Sequence, residues 1–157
     1  MTTVIPLPFI PVTSSGTLRI RFRKLHPSAD PPAKGTSGSA GFDLTATSVT
    51  EDPSGLPVLI FGTGLAVEIP RGFAGFIFPR SSCYKYGMDL TNCVGVIDSD
   101  YRGEIKAVFM DHYGQGYKIG DRIAQMIILP VPEVEYVESE QLSDTLRGTG
   151  GYGSTGR

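Results

Sequence analysis

"LPVLIFGTGLAVEIPRGFAGFIFP" runs from Leu56 to Pro79, and its reading decides the fold class. The stretch is rich in β-branched and aromatic residues, and glycine and proline punctuate it every few positions. Such spacing suits short strands joined by turns and interrupts any helix. Outward from it the pattern continues. Apolar and polar residues alternate in "TLRIRFRKL" (Thr17–Leu25), which predicts a half-buried strand, and "FDLTATSV" (Phe42–Val49) predicts another. "HPSADPPAKGTSGSAG" (His26–Gly41) is a long polar loop, "EDPSG" (Glu51–Gly55) is turn chemistry, and "SSCYKYG" (Ser81–Gly87) allows one short helical turn. Asn92–Tyr113 reads as a hairpin with Asp98–Gly103 near its tip, and "RIAQMIILPVPEVEYVE" (Arg122–Glu138) is apolar enough for core strands. No segment sustains the helical period over a dozen residues or so. With 20 glycines and 12 prolines in 157 residues, the chain is expected to form a single all-β barrel or sandwich.

Composition narrows the function classes. The length fits one domain with a substantial core. A net charge of −2 gives no electrostatic footprint for nucleic acid or for an anionic membrane, so neither is expected as a partner. No apolar run approaches the length of a membrane span. The N-terminal "MTTVIPLPFIPVTSSG" lacks the basic start and long apolar run of a signal peptide, and Pro6, Pro8 and Pro11 interrupt it. Cys83 and Cys93 make neither a disulfide framework nor a metal-ligand cluster, so two reduced thiols in a cytoplasmic protein are expected. The expected division is an N-terminal leader or edge segment at 1–16, a β-barrel at 17–146 and a mobile glycine-rich C-terminal arm at 147–157.

Four stretches carry residues suited to chemistry. The tail "RGTGGYGSTGR" (Arg147–Arg157) has unhindered backbone N–H groups, the hydroxyls of Ser154 and Thr155, and two arginines, which together suit a phosphate cradle; it equally suits a disordered end. Arg80, Ser81 and Ser82 form an anion site or, alternatively, a strand end with a serine cap. Asp98 and Asp100 lie two residues apart, on one side of an extended chain, where a carboxylate acts as general base or simply makes a turn. Asp43 sits among apolar neighbours and needs an arginine or a hydrated cation. His26 and His112 have no serine or cysteine arrangement around them, so a catalytic triad has no support.

Taken in order, "AGFDLTA", "PRSS…KYG", "GVIDSDYRG", "GDRIAQMIILP" and "RGTGGYGSTG" resemble the five motifs of the trimeric dUTPase family, over Ser39 to Gly156. The resemblance implies a jelly-roll-like β-barrel assembled as a homotrimer. It implies hydrolysis of dUTP to dUMP and pyrophosphate with Mg²⁺, which limits uracil in DNA and supplies dUMP for thymidylate. Each active site would lie between subunits: one chain gives the first, second and fourth motifs, another the third, and the last lends its arm. By position, Asp98 would be the base that activates water. Asn92 and the backbone of Gly95, Val96 and Ile97 would read uracil, with Tyr152 stacking on it and Gly153 beside it. Tyr101 would lie under the deoxyribose and exclude a 2′-hydroxyl. Arg80, Ser81, Ser82 and Gln125 would hold phosphates, as would Arg147, Ser154 and Thr155 of the arm. Asp43 would act on the metal through water. Two positions depart from the commonest family pattern: Ser82 stands where many members have glycine, and Tyr152 where the stacking ring is usually phenylalanine. Two other readings share the fold. One is deamination of dCTP, which would need a catalytic glutamate near the pyrimidine. The other is a nucleotide-dependent regulatory role towards a partner.

Overall fold

The computed structural model describes residues 16–151, and ten strands and one 3₁₀ turn account for its regular structure. One sheet is formed by β2 (Phe42–Thr45), β10 (Arg122–Pro130), β6 (Phe73–Pro79) and β8 (Gly95–Ile97), hydrogen-bonded in that order. The second is formed by β3 (Ser48–Glu51), β4 (Val58–Gly62), β9 (Lys106–Asp111) and β7 (Met88–Leu90). A separate ribbon pairs β1 (Arg21–Lys24) with β5 (Leu65–Glu68). Every strand pairing is antiparallel. This is the all-β sandwich that the punctuation of Leu56–Pro79 predicts, and its two four-stranded sheets fit the jelly-roll-like fold that the resemblance implies.

Side-chain alternation makes the core. Ala107 and Phe109 of β9 are buried while Lys106 is exposed, so one face of that strand turns inward. Leu44, Ile77, Ile123 and Met126 of the first sheet join Phe61, Met88 and Phe109 of the second in one cluster. Three rings lock its centre. Phe61 meets Phe109 edge-on at 6.0 Å between centroids, and Tyr117 meets Phe109 at 5.4 Å and Phe61 at 6.3 Å. Each large side chain fully buried here contributes about 1.5–3 kcal/mol.

Four local expectations change. "FDLTATSV" is not one strand: the chain crosses from β2 to β3 at Ala46–Thr47, held by Ala46 N–H to Asp121 O and Thr47 N–H to Gly62 O. Asn92–Tyr113 is not a hairpin, because β8 pairs with β6 whereas β9 pairs with β4 and β7. The Asp98–Gly103 turn therefore joins the two sheets. β1 is exposed along its length rather than half-buried, since β5 is its only partner strand among the described residues. Finally, Val131–Glu138 forms no strand and Tyr136 is 97 % exposed. Pro130 and Pro132 cannot donate to a ladder, and no strand among the described residues pairs with the segment.

Candidate active site

Asp43 is the centre of the strongest polar constellation among the described residues. It lies on β2 with its side chain 17 % exposed, and two arginines grip it. Arg80 donates from Nε to Oδ1 at 3.0 Å, and Arg122 donates from a terminal guanidinium nitrogen to Oδ2 at 2.9 Å. Arg80 also donates to the carbonyl of Arg122 at 3.3 Å. Of the two partners that the sequence left open for Asp43, the structure supplies the arginine. Two cations face one carboxylate, so the floor carries an excess positive charge and suits an anion.

A β-bulge builds this floor. Gln125 pairs with Asp43 across β2 and β10, and the register shifts between Arg122 and Ala124. In a regular strand, residues three apart point to opposite faces. The extra residue, Ile123, lets Arg122 and Gln125 line the same cleft while Ile123 and Ala124 are both fully buried. Gln125 donates from Nε2 to the carbonyl of Pro79 at 3.2 Å. Its side chain lies against Gly41, where a Cβ would fall 2.8 Å from Gln125 Oε1 and 3.1 Å from its Cβ. Only glycine leaves Gln125 in place.

The cleft encloses about 210 Å³, and Gly35 and Ser39 of the preceding loop form its rim beside Ser81. That loop is tied to the site by an Ala33–Asp43 bridge, with Asp43 N–H donating to Ala33 O at 2.7 Å. Across Asp43 and Arg122 lies a second cleft of about 380 Å³, which Asp30, Lys34 and Thr45 also line. Ser81 is exposed. Ser82 occupies the N-cap position of the 3₁₀ turn Cys83–Tyr86, yet its hydroxyl makes no cap bond. The serine-cap reading of this stretch therefore fails, and Ser82 is free for another acceptor or donor.

Behind the 3₁₀ turn lies Tyr117, only 5 % exposed, its ring 4.9 Å from that of Tyr86. Burial pushes its phenol up to about 12, with the neighbouring Cys83 thiol adding and the Arg80 charge opposing. Its hydroxyl has no hydrogen-bond partner among the described residues.

The third stretch lies elsewhere on the chain. Asp98 follows β8, the sheet edge opposite β2, and is exposed. Three strand spacings separate the two edges, roughly 14 Å, and the registers add about 13 Å along the strands. Asp98 and Asp100 sit in a turn closed by Tyr101 N–H to Asp98 O, so they do not share the face of an extended strand. Arg102 holds this turn by donating to the carbonyls of Ser99 and Tyr101. The Tyr101 hydroxyl donates to Glu104 O at 3.0 Å, and its ring covers Gly103. Asn92 is exposed, and Gly95 is buried so closely on β6 that a Cβ would fall 3.2 Å from that of Ile77. Val96 and Ile97 continue β8, whose outer edge no other strand among the described residues covers.

The structure thus gathers Asp43, Arg80, Ser81 and Gln125 and leaves Asn92, Asp98 and Tyr101 apart from them. Arg147 bonds to Gly150 O within its own turn. Tyr152, Gly153, Ser154 and Thr155 lie outside the described residues. Sequence reasoning missed Arg122 and the Gly41 contact. The need of Asp43 for a countercharge was the available signal for the former.

Fold and cleft together define an antiparallel sandwich with a basic, anion-accepting floor. The dUTPase family model matches residues 28–156, and the chain belongs to the dUTPase family. The deoxyuridine 5′-triphosphate nucleotidohydrolase of Nautilia profundicola is 45 % identical over 143 residues, covering 89 % of this chain and 100 % of that protein. Its counterpart from Paramecium bursaria Chlorella virus 1 is 42 % identical over 137 residues, covering 85 % of this chain and 95 % of that one. Among solved structures, a Staphylococcus bacteriophage 80alpha dUTPase variant with dUpNHpp superposes at a TM-score of 0.76. The match covers 90 % of this chain and 100 % of that one at 24 % identity, and it shows the fold.

Proposed function

We propose that the protein hydrolyses dUTP to dUMP and pyrophosphate as a homotrimer with shared sites. The observation that carries this reading is the Arg80–Asp43–Arg122 floor in a chain of this family. Arg80, Ser81, Ser82 and Gln125 hold the phosphates, and Arg147, Ser154 and Thr155 close over them from the 147–157 arm, which excludes water. Asn92 and the open outer edge of β8 at Gly95–Ile97 read the uracil, Tyr152 stacks on it beside Gly153, and Tyr101 crowds the 2′ position. Asp98 takes a proton from the water that attacks phosphorus; the phosphoanhydride bond breaks and pyrophosphate leaves.

Metal fits the site only as a guest of the triphosphate. Among the described residues no three His, Cys, Asp or Glu side chains cluster, and the floor is net positive. Each Asp43 oxygen accepts one arginine bond and keeps capacity for another, so Asp43 would reach a hydrated cation through water. Mg²⁺ would spread the charge of the phosphates.

Sharing of sites between chains rests on two supports. Asp98 and Asp43 stand at opposite edges of one sheet, too far apart to act on one phosphate. The 131–146 segment exposes Tyr136, Leu142 and Leu146 almost completely, apolar surface that another subunit would cover. A cytoplasmic setting fits two free thiols; among the described residues no helix is long and apolar enough to cross a membrane.

Product analysis on dUTP, dCTP, dTTP and UTP tests the activity. Selective release of dUMP and pyrophosphate from dUTP is expected. Orthophosphate as first product, or deamination of dCTP, overturns the proposal.

A further inference from the structure

We infer that Arg122 is a positioning residue: it clamps Asp43 from the side opposite Arg80 and so fixes the Arg80 guanidinium against the cleft. The inference rests on the phosphate-binding reading of Arg80 and extends it to Arg122, to which that reading assigns no contact with substrate.

The geometry divides the labour between the two arginines. Arg80 spends Nε on Asp43 Oδ1 and one terminal nitrogen on the carbonyl of residue 122. Its remaining donors are left for an anion in the cleft. Both anchors of Arg80 thus depend on the stretch around Arg122. The carbonyl belongs to it, and Asp43 is held from the far side by the Arg122 side chain at 2.9 Å. An aspartate bound by Arg80 alone would turn freely about its last torsion, which is broad and weakly restrained. With Oδ2 tied to Arg122, the carboxylate plane is fixed, and with it the direction of Arg80. Burial ranks the three in the same order. Asp43 and Arg80 are 17 % and 26 % exposed, whereas Arg122 is 56 % exposed and stands at the outer end of the chain of contacts. The bulge at Ile123 turns Arg122 into this position, and nothing in the packing of the core requires its charge.

A double-variant cycle tests this, read as affinity for an imido analogue of dUTP and for dUMP, with kcat and KM for dUTP alongside. Arg122→Met is expected to weaken analogue binding by about tenfold, the scale of one charge-assisted bond, and dUMP binding by less than about twofold. In an Arg80→Met background the same substitution should add less than about twofold, because nothing is left to position. Arg122→Lys keeps the charge and should recover part of the loss; it also serves in the cycle if Arg122→Met folds poorly. Full additivity of the two losses would mean that Arg122 touches phosphate itself, and would overturn the inference. So would unchanged analogue affinity in Arg122→Met, or an equal loss of dUMP. Arg80→Met alone reports separately on the parent reading: wild-type analogue affinity in that variant would sink the phosphate assignment and the inference with it, whereas a loss there beside an unchanged Arg122→Met sinks the inference alone.

Discussion

Arg122 and Gln125 lie three positions apart on β10 and still face one cleft, because Ile123 is an unpaired extra residue between Arg122 and Ala124. The bulge buries two successive apolar residues, Ile123 and Ala124, and frees the flanking polar pair for the site. One irregularity in the ladder therefore serves core and site together.

Gln125 keeps its place because Gly41 has no Cβ. Gly41→Ala would put a carbon 2.8 Å from Gln125 Oε1, and the side chain must move off the cleft. We expect kcat/KM for dUTP to fall by about tenfold or more, from misplacement of a phosphate donor, with a melting temperature within a few degrees of the parent. An unchanged kcat/KM would show that Gln125 does not need this position.

Asp43→Ala removes the acceptor of two charged hydrogen bonds and leaves two guanidinium groups facing each other. The expected loss is about 1–3 kcal/mol in urea unfolding, together with loss of turnover. An unfolding midpoint equal to that of the parent would mean that the clamp contributes nothing to the fold.

Tyr117 carries a buried hydroxyl without a partner among the described residues and a phenol raised from 10.0 to about 12. Below pH 10 folded and unfolded chains both hold the proton, so the raised phenol costs no stability there. Between pH 10 and about 12 the unfolded chain loses that proton first, so stability falls as pH rises through this window. Tyr117→Phe should flatten that part of the fall. At neutral pH it should leave stability unchanged or raise it by up to about 1 kcal/mol, because an unsatisfied polar group disappears from the core. A loss of more than about 1 kcal/mol would reveal a bonded hydroxyl.

The fold class was legible because it depends on punctuation and alternation, which are local. Glycine and proline around Leu56–Pro79 limit strand length wherever those strands end up. Pairing was not legible in the same way. Whether β9 joins β8 or β4 depends on where Phe109 finds its neighbours, and no local signal carries that. The site divides along the same line. Asp43, Arg80 and Gln125 stood out through motif order, and their convergence follows from the β2–β10–β6 order of the sheet. Arg122 escaped notice because its orientation is set by a bulge, which has no sequence signature at Ile123. Val131–Glu138 misled because its apolar residues suit a partner strand that the described residues do not provide.

The central claim is that the Arg80 cleft of one chain works with Asp98 of another, and complementation tests it most directly. Asp98→Asn keeps the cleft and loses the base, and Arg80→Met keeps the base and loses the cleft, so each alone should be nearly inactive. In a cyclic trimer every mixture of the two contains about one site that combines an intact Arg80 with an intact Asp98. Mixed trimers isolated through two different affinity tags are therefore expected to regain dUTP hydrolysis, at about a third of the parent activity. If cleft and base belonged to the same chain, no mixture would hold a complete site, and verified mixed trimers as inactive as their parents would contradict the account.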